Sequence, residues 1–255
     1  MVKAPGSASR VALLAVALVA AVAAALPASA GVRVVHDWPC AGCIVQVPAG
    51  VSKKHPAPLL VALHGDEGVP TLAEEVWAPV AAAKRVILFT PQCPTSLGCQ
   101  FQNGAGVTNS WWGWLQYSHT YDDAWLGEQV AAIAARYAVD PHRRYLTGWS
   151  GGADYLGWYA ARHASTFAAA AFVAGGVPYT QSCPSRTMGA YFLLGAADPR
   201  YLSQQPSQVA GVFQRCGDPT QVTVIPGADH QGSISSLAAS GYASTILSWL
   251  LGFRH

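Results

Sequence analysis

Short apolar runs alternate along this chain with segments whose apolar positions recur every three or four residues. The runs at 59–63, 86–90, 168–173, 190–194 and 222–225, with a strand-like stretch at 143–147, predict strands, most of them buried on both faces. Between them, 71–83, 122–137, 153–162, 207–215 and 233–251 read as helices; in the second, Leu126, Val130, Ile133 and Tyr137 fall on one face and Asp122 and Asp123 suit the positive end of the helix dipole. Two further β-rich runs, 32–36 and 44–47, flank a proline-containing turn and predict an antiparallel hairpin at a sheet edge. Repeated β-α units imply an α/β fold with a mostly parallel sheet and helices on both faces. One connection, 91–120, is longer than an ordinary loop.

The first thirty residues stand apart from this pattern. Lys3 and Arg10 precede an unbroken apolar run, 11–26, which is followed by Pro27 and the small-residue ending Ala28-Ser29-Ala30. The pattern predicts a secretory signal over 1–30, cleaved before Gly31 and leaving one domain over 31–255, exported to the extracellular space or, in a two-membrane bacterium, to the periplasm. Sixteen apolar residues fall short of the roughly twenty that span a bilayer, so no membrane association is expected of the mature form, which is expected to be a monomer.

Charge narrows the choice of partner. Removing Lys3 and Arg10 from fifteen basic residues leaves thirteen, equal to the thirteen acidic ones, so the formal charge of +2 belongs wholly to the leader. A neutral chain without a basic stripe is not expected to bind nucleic acid. All six cysteines, Cys40, Cys43, Cys93, Cys99, Cys183 and Cys216, lie after the leader, and an even count in an exported chain favours disulfides. Fifteen connectivities are open to six cysteines. The preferred set is Cys40 with Cys43, Cys93 with Cys99, and Cys183 with Cys216, the first two because each pair brackets a short Gly/Pro-containing loop.

The chemistry centres on Gly148-Trp149-Ser150-Gly151-Gly152, between the stretch at 143–147 and the helix at 153–162. It reads as a nucleophile elbow, in which Gly148 and Gly152 permit a sharp strand-to-helix turn and a strained serine. An acyl-transfer serine needs a histidine as base and a carboxylate to orient it. Asp198 follows the strand at 190–194 and His230 follows the strand at 222–225, each in a turn. The order Ser150, Asp198, His230 is the one an elbow serine uses on an α/β-hydrolase sheet. Asp229 adjoins His230 too closely to orient its ring, and Asp218 reads as a turn residue. The backbone N–H groups of Gly151 and Asp66 are the candidate oxyanion donors. A carboxylate beside a developing negative charge is unfavourable, so the Asp66 side chain is expected to point away. No metal or organic cofactor is required.

The stretches 59–68, 140–152, 193–199 and 227–232 resemble the α/β-hydrolase superfamily, and within it are similar to the secreted polyhydroxybutyrate-depolymerase and feruloyl-esterase group. Trp149 and Gly151 depart from the small or polar residues typical around that group's serine. The resemblance implies an eight-stranded sheet and hydrolysis of carboxylic esters through an acyl-enzyme. Two features bear on the substrate. The loop at 91–120 carries Trp111, Trp112 and Trp114, which with Trp149 are candidates for substrate binding, the competing role for the loop tryptophans being to pack the loop onto the body. The segment 175–186, where many lipases insert a lid, is only a dozen residues, so an open site for a bulky or polymer-borne ester is expected. A serine peptidase on the same fold, and a non-catalytic polymer-binding protein on a decayed hydrolase scaffold, are the alternatives.

Overall fold

A computed structural model describes Met1 and residues 31–104, 106–179 and 182–255, so the expected leader lies outside the described residues except for its first methionine. In chain order the strands are β1 Val32–His36, β2 Ile44–Pro48, β3 Ala57–Leu63, β4 Ile87–Thr90, β5 Gln100–Asn103, β6 Gly106–Asn109, β7 Val139–Trp149, β8 Ala169–Val173, β9 Gly189–Gly195 and β10 Thr220–Ile225. The helices are α1 Pro70–Ala83, α2 Trp111–Tyr117, α3 Trp125–Arg136, α4 Gly151–Arg162, α5 Pro199–Leu202, α6 Gln205–Arg215, α7 His230–Ala239 and α8 Tyr242–Leu250.

Eight strands form one sheet in the order β1-β2-β4-β3-β7-β8-β9-β10, and β5 and β6 pair separately. β2 runs antiparallel to both of its neighbours; from β4 to β10 every pairing is parallel. Strand periodicity divides the core in two. Leu59, Val61 and Leu63 of β3 point into the layer holding α3, α4 and α6, whereas Leu60 and Ala62 meet Trp77 of α1 and Ile246 of α8 on the opposite face. Because both faces are covered, β3 and β9 are buried along their whole length.

The chain leaves β3 through α1 toward one edge and leaves β7 through α4 toward the other, so the carboxyl ends of these adjacent strands form a topological switch point, where open α/β sheets place ligands.

Three elements differ from the sequence expectation. The connection at 91–120 is not an irregular loop: it folds into a 3-10 turn at Thr95–Leu97, the β5–β6 hairpin and α2. The closing helix is two helices, because Gly241 takes a left-handed φ of 72° after Ser240 and the chain turns there. The helix expected from Asp122 starts at Trp125, with the Asp122 carboxylate accepting the Ala124 N–H at 2.9 Å in the preceding turn.

All six cysteines are bridged in the preferred set, Cys40–Cys43, Cys93–Cys99 and Cys183–Cys216. No described helix is long and apolar enough to cross a membrane.

Candidate active site

β7 delivers Ser150 to the switch point. Its φ of 50° and ψ of −124° are sparsely populated for a residue with a Cβ, and the surroundings hold it there: its N–H donates to the Val173 carbonyl at 3.0 Å and its carbonyl accepts the Asp154 N–H at 2.9 Å. The flanking glycines are sterically required. A Cβ on Gly148 would lie 2.8 Å from the Gly152 carbonyl carbon, and one on Gly152 would lie 2.5 Å from the His64 oxygen, so α4 packs against the end of β7 and the end of β3 only because both are absent.

His230 is the first residue of α7 and Asp198 the residue before α5. The two side chains meet over the elbow: His230 Nε2 is 3.0 Å from Ser150 Oγ, and His230 Nδ1 is 2.9 Å from Asp198 Oδ2. A carboxylate only accepts, so Nδ1 carries the proton and Nε2 is left to accept from the serine hydroxyl. Asp198 is 1% exposed, and its second oxygen accepts the Arg200 N–H at 2.9 Å, which fixes its plane. The rival carboxylates are engaged elsewhere. Asp229 caps α7 by accepting the Gly232 N–H at 2.7 Å, and Asp218 accepts the Met188 N–H at 2.9 Å.

Gly151 opens α4, where the first N–H groups of a helix have no carbonyl within it, and the Asp66 turn faces it from the end of β3. The Asp66 side chain does not point away. It folds back on Gly151 and fills the space that a Cβ there would need, so the glycine that looked anomalous beside the serine is what makes room for the carboxyl. Burial raises this acid to about 6, helped by the charge of Asp154 and opposed by Arg200 and by hydrogen bonds from Ser110 and the Trp111 N–H.

Of the supporting residues, the sequence suggested His64 alone, as a residue that packs its loop, while Arg200 and the bracing role of Asn109 gave no sign in it. The Cys93 N–H donates to His64 Nε2 at 3.2 Å, so His64 Nδ1 carries the proton and donates to the Gly65 carbonyl at 2.6 Å. Asn109 braces the same turn: its carbonyl accepts the Glu67 N–H at 3.0 Å, and its side-chain amide donates to the Gly68 carbonyl at 2.8 Å. On the other side, Arg200 forms an ion pair with Asp154, which also accepts the Gly176 N–H at 2.8 Å. Burial pushes the Asp154 acid upward, and the Arg200 charge and the Gly176 hydrogen bond oppose that shift.

The tryptophans divide. Trp111 and Trp114 have no exposed surface with which to touch a substrate; they pack against Tyr155, Tyr121 and Trp125, anchoring α2 on α4. Trp112 is half-buried against Tyr179 at 4.8 Å between ring centroids and does not line the cleft at Ser150. Trp149 does line it. That cleft has a volume of about 430 Å³; Leu72, Val76, Ile234 and Ala238 make an apolar wall, and Ser150 and His230 line it too.

Among solved structures, a thermostable esterase matches with a TM-score of 0.60 and 20% identity over 88% of this chain, which spans 63% of that esterase. A ferulic acid esterase matches at 0.59 and 17% over 82% of this chain and 91% of its own, and a carboxylesterase from Bacillus cereus at 0.58 and 14% over 82% and 92%. The fold is that of the α/β-hydrolases. No protein-family model and no curated protein matches the sequence. At these identities the likeness concerns the α/β-hydrolase fold, and the chemistry has to come from the side chains themselves. Among the described residues, no group of three or more His, Cys, Asp or Glu is placed to hold a metal ion.

Proposed function

We propose that this chain is a secreted serine hydrolase that cleaves carboxylic esters through an acyl-enzyme. The observation that carries the reading is the hydrogen-bonded line from Ser150 Oγ through the His230 ring to the buried Asp198, starting at an elbow whose backbone is strained in the position an exposed nucleophile needs. In this reading the Ser150 oxygen attacks the ester carbonyl as His230 Nε2 takes its proton. Asp198 holds the imidazolium, and the N–H groups of Gly151 and Asp66 receive the oxyanion. Collapse of the tetrahedral species expels the alcohol, protonated by His230, and water repeats the sequence on the acyl-serine.

The substrate we favour is a bulky or polymer-borne ester of the polyhydroxyalkanoate or feruloyl-polysaccharide type. What supports it is a cleft with an apolar wall, the exposed Leu72 on that wall, and a segment between β8 and β9 that forms no helix among its described residues. Three disulfides and the leader support export. The test is a panel of short acyl, feruloyl and polyhydroxybutyrate esters, run with wild-type protein and with Ser150→Ala. A loss of several powers of ten in turnover on replacing Ser150 is expected, by analogy with the roughly millionfold loss in a serine protease. Near-native hydrolysis by Ser150→Ala would overturn the reading.

A further inference from the structure

We infer that the Asp66 side chain, and not only its backbone N–H, belongs to the oxyanion end of this site, and that ester hydrolysis is faster while that carboxyl is the neutral acid than while it is ionised. The inference rests on the serine-hydrolase reading and deepens it. Its ground is geometric. The carboxyl carbon and both oxygens of Asp66 occupy the space that a Cβ on Gly151 would fill, so the acid sits against the residue whose N–H is a candidate oxyanion donor. Asp66 lines the same cleft as Ser150 and His230, and its Oδ1 is buried with no hydrogen-bond partner. A carboxyl left half-satisfied beside a reaction centre is a feature that fold stability alone does not require.

The groups facing it do not neutralise a charge there. Asp154 on α4 is a second buried acid, and the nearby cation, Arg200 on α5, is paired with Asp154. Ser110 and the Trp111 N–H donate from the start of α2; Glu67, Glu75 and His230 share the walls of the cleft. As a neutral acid, Asp66 fits this place without opposing an oxyanion. As a carboxylate, it stands beside the negative charge that develops on the carbonyl oxygen. The ground-state ester is neutral, so the penalty falls on turnover rather than on binding, and two like charges a few ångströms apart in a partly buried site correspond to about tenfold to hundredfold.

The experiment is the pH dependence of kcat and KM on a soluble acyl ester, for wild-type protein and Asp66→Asn, with fluorophosphonate labelling of Ser150 alongside. Expected for wild type is a fall in kcat/KM toward alkali as Asp66 ionises near pH 6, with KM steady across that limb. Asp66→Asn removes the alkaline limb and raises kcat at pH 8 by about tenfold or more over wild type. A wild-type profile that stays flat to pH 8, which requires no variant to fold, overturns the inference, as does an Asp66→Asn profile of unchanged shape. If Ser150 is labelled in either of those cases, only the role of Asp66 fails. If Ser150 is not labelled and Ser150→Ala still hydrolyses the ester, the parent reading fails.

Discussion

The imidazole of His64 joins two segments that are far apart in sequence: it accepts the N–H of Cys93 on one side and donates to the carbonyl of Gly65 on the other. The disulfide-closed loop after β4 is thereby fastened to the turn that presents Asp66. His64→Ala leaves the Cys93 N–H buried without an acceptor and releases that turn. We expect a loss of about 2–3 kcal/mol of stability together with a fall in kcat larger than any change in KM. Chemical unfolding and steady-state kinetics check the two parts separately.

Two opposed groups beside the site, His64 and Asp66, contribute to acid stability. Burial lowers His64 from 6.5 to about 4, so between those values the unfolded chain takes up a proton that the native ring refuses, and stability falls as pH falls through that window. Asp66 does the reverse: raised from 3.8 to about 6, it binds a proton more tightly in the native state, so stability rises as pH falls through its window. At 1.36 kcal/mol for each pKa unit, the two contributions are each about 3 kcal/mol and nearly cancel. His64→Gln should therefore gain stability relative to its own value at pH 7 when moved to pH 4, and Asp66→Asn should lose it. Urea midpoints at the two pH values decide, and equal acid responses in the two variants would refute the assignment.

Arg200 serves Asp198 in two ways. Its backbone N–H holds the Asp198 carboxylate, while its guanidinium ties α5 to Asp154 on α4. The side chain is 33% exposed, so the ion pair is only partly removed from solvent, but Asp154 is buried and would be left without its cation. Arg200→Gln is expected to cost about 2 kcal/mol of stability. A drop in kcat of about tenfold should accompany it as α5 loosens, with Arg200→Lys recovering part of both. Thermal unfolding and turnover in the two variants test this.

Trp111 only packs, whereas Trp149 is a core residue that also lines the cleft. Trp111→Ala should destabilise the protein by about 3–5 kcal/mol, since the ring is wholly buried among other aromatics. Trp149→Ala opens the wall of the cleft and should raise KM for a bulky acyl ester more than for acetate. If instead Trp111→Ala shifts KM with stability unchanged, the loop tryptophans are binding residues after all.

Ser150, Asp198 and His230 could be chosen from the sequence because each rests on a short-range constraint. Glycines at 148 and 152 specify a turn, and a residue just after an apolar strand is carried to one end of the sheet. The alternation of strands and helices was legible for the same reason, since burial on two faces or on one stripe is written into spacing. The break at Gly241 was missed because the apolar pattern continues across it, the β5–β6 hairpin because its short strands carry no apolar run, and α2 because it packs on α4, far along the chain.

What only the tertiary structure decided is how distant pieces share space. Whether Asp66 turns toward the serine depends on the Cβ that Gly151, eighty-five positions later, does not have. Whether Trp111 meets solvent or Tyr155 depends on how α2 docks on α4. Local sterics and periodicity act over a few residues and are readable along the chain. Contact, burial and the proton affinities that follow from them depend on which side chains the closed sheet brings within a few ångströms of one another.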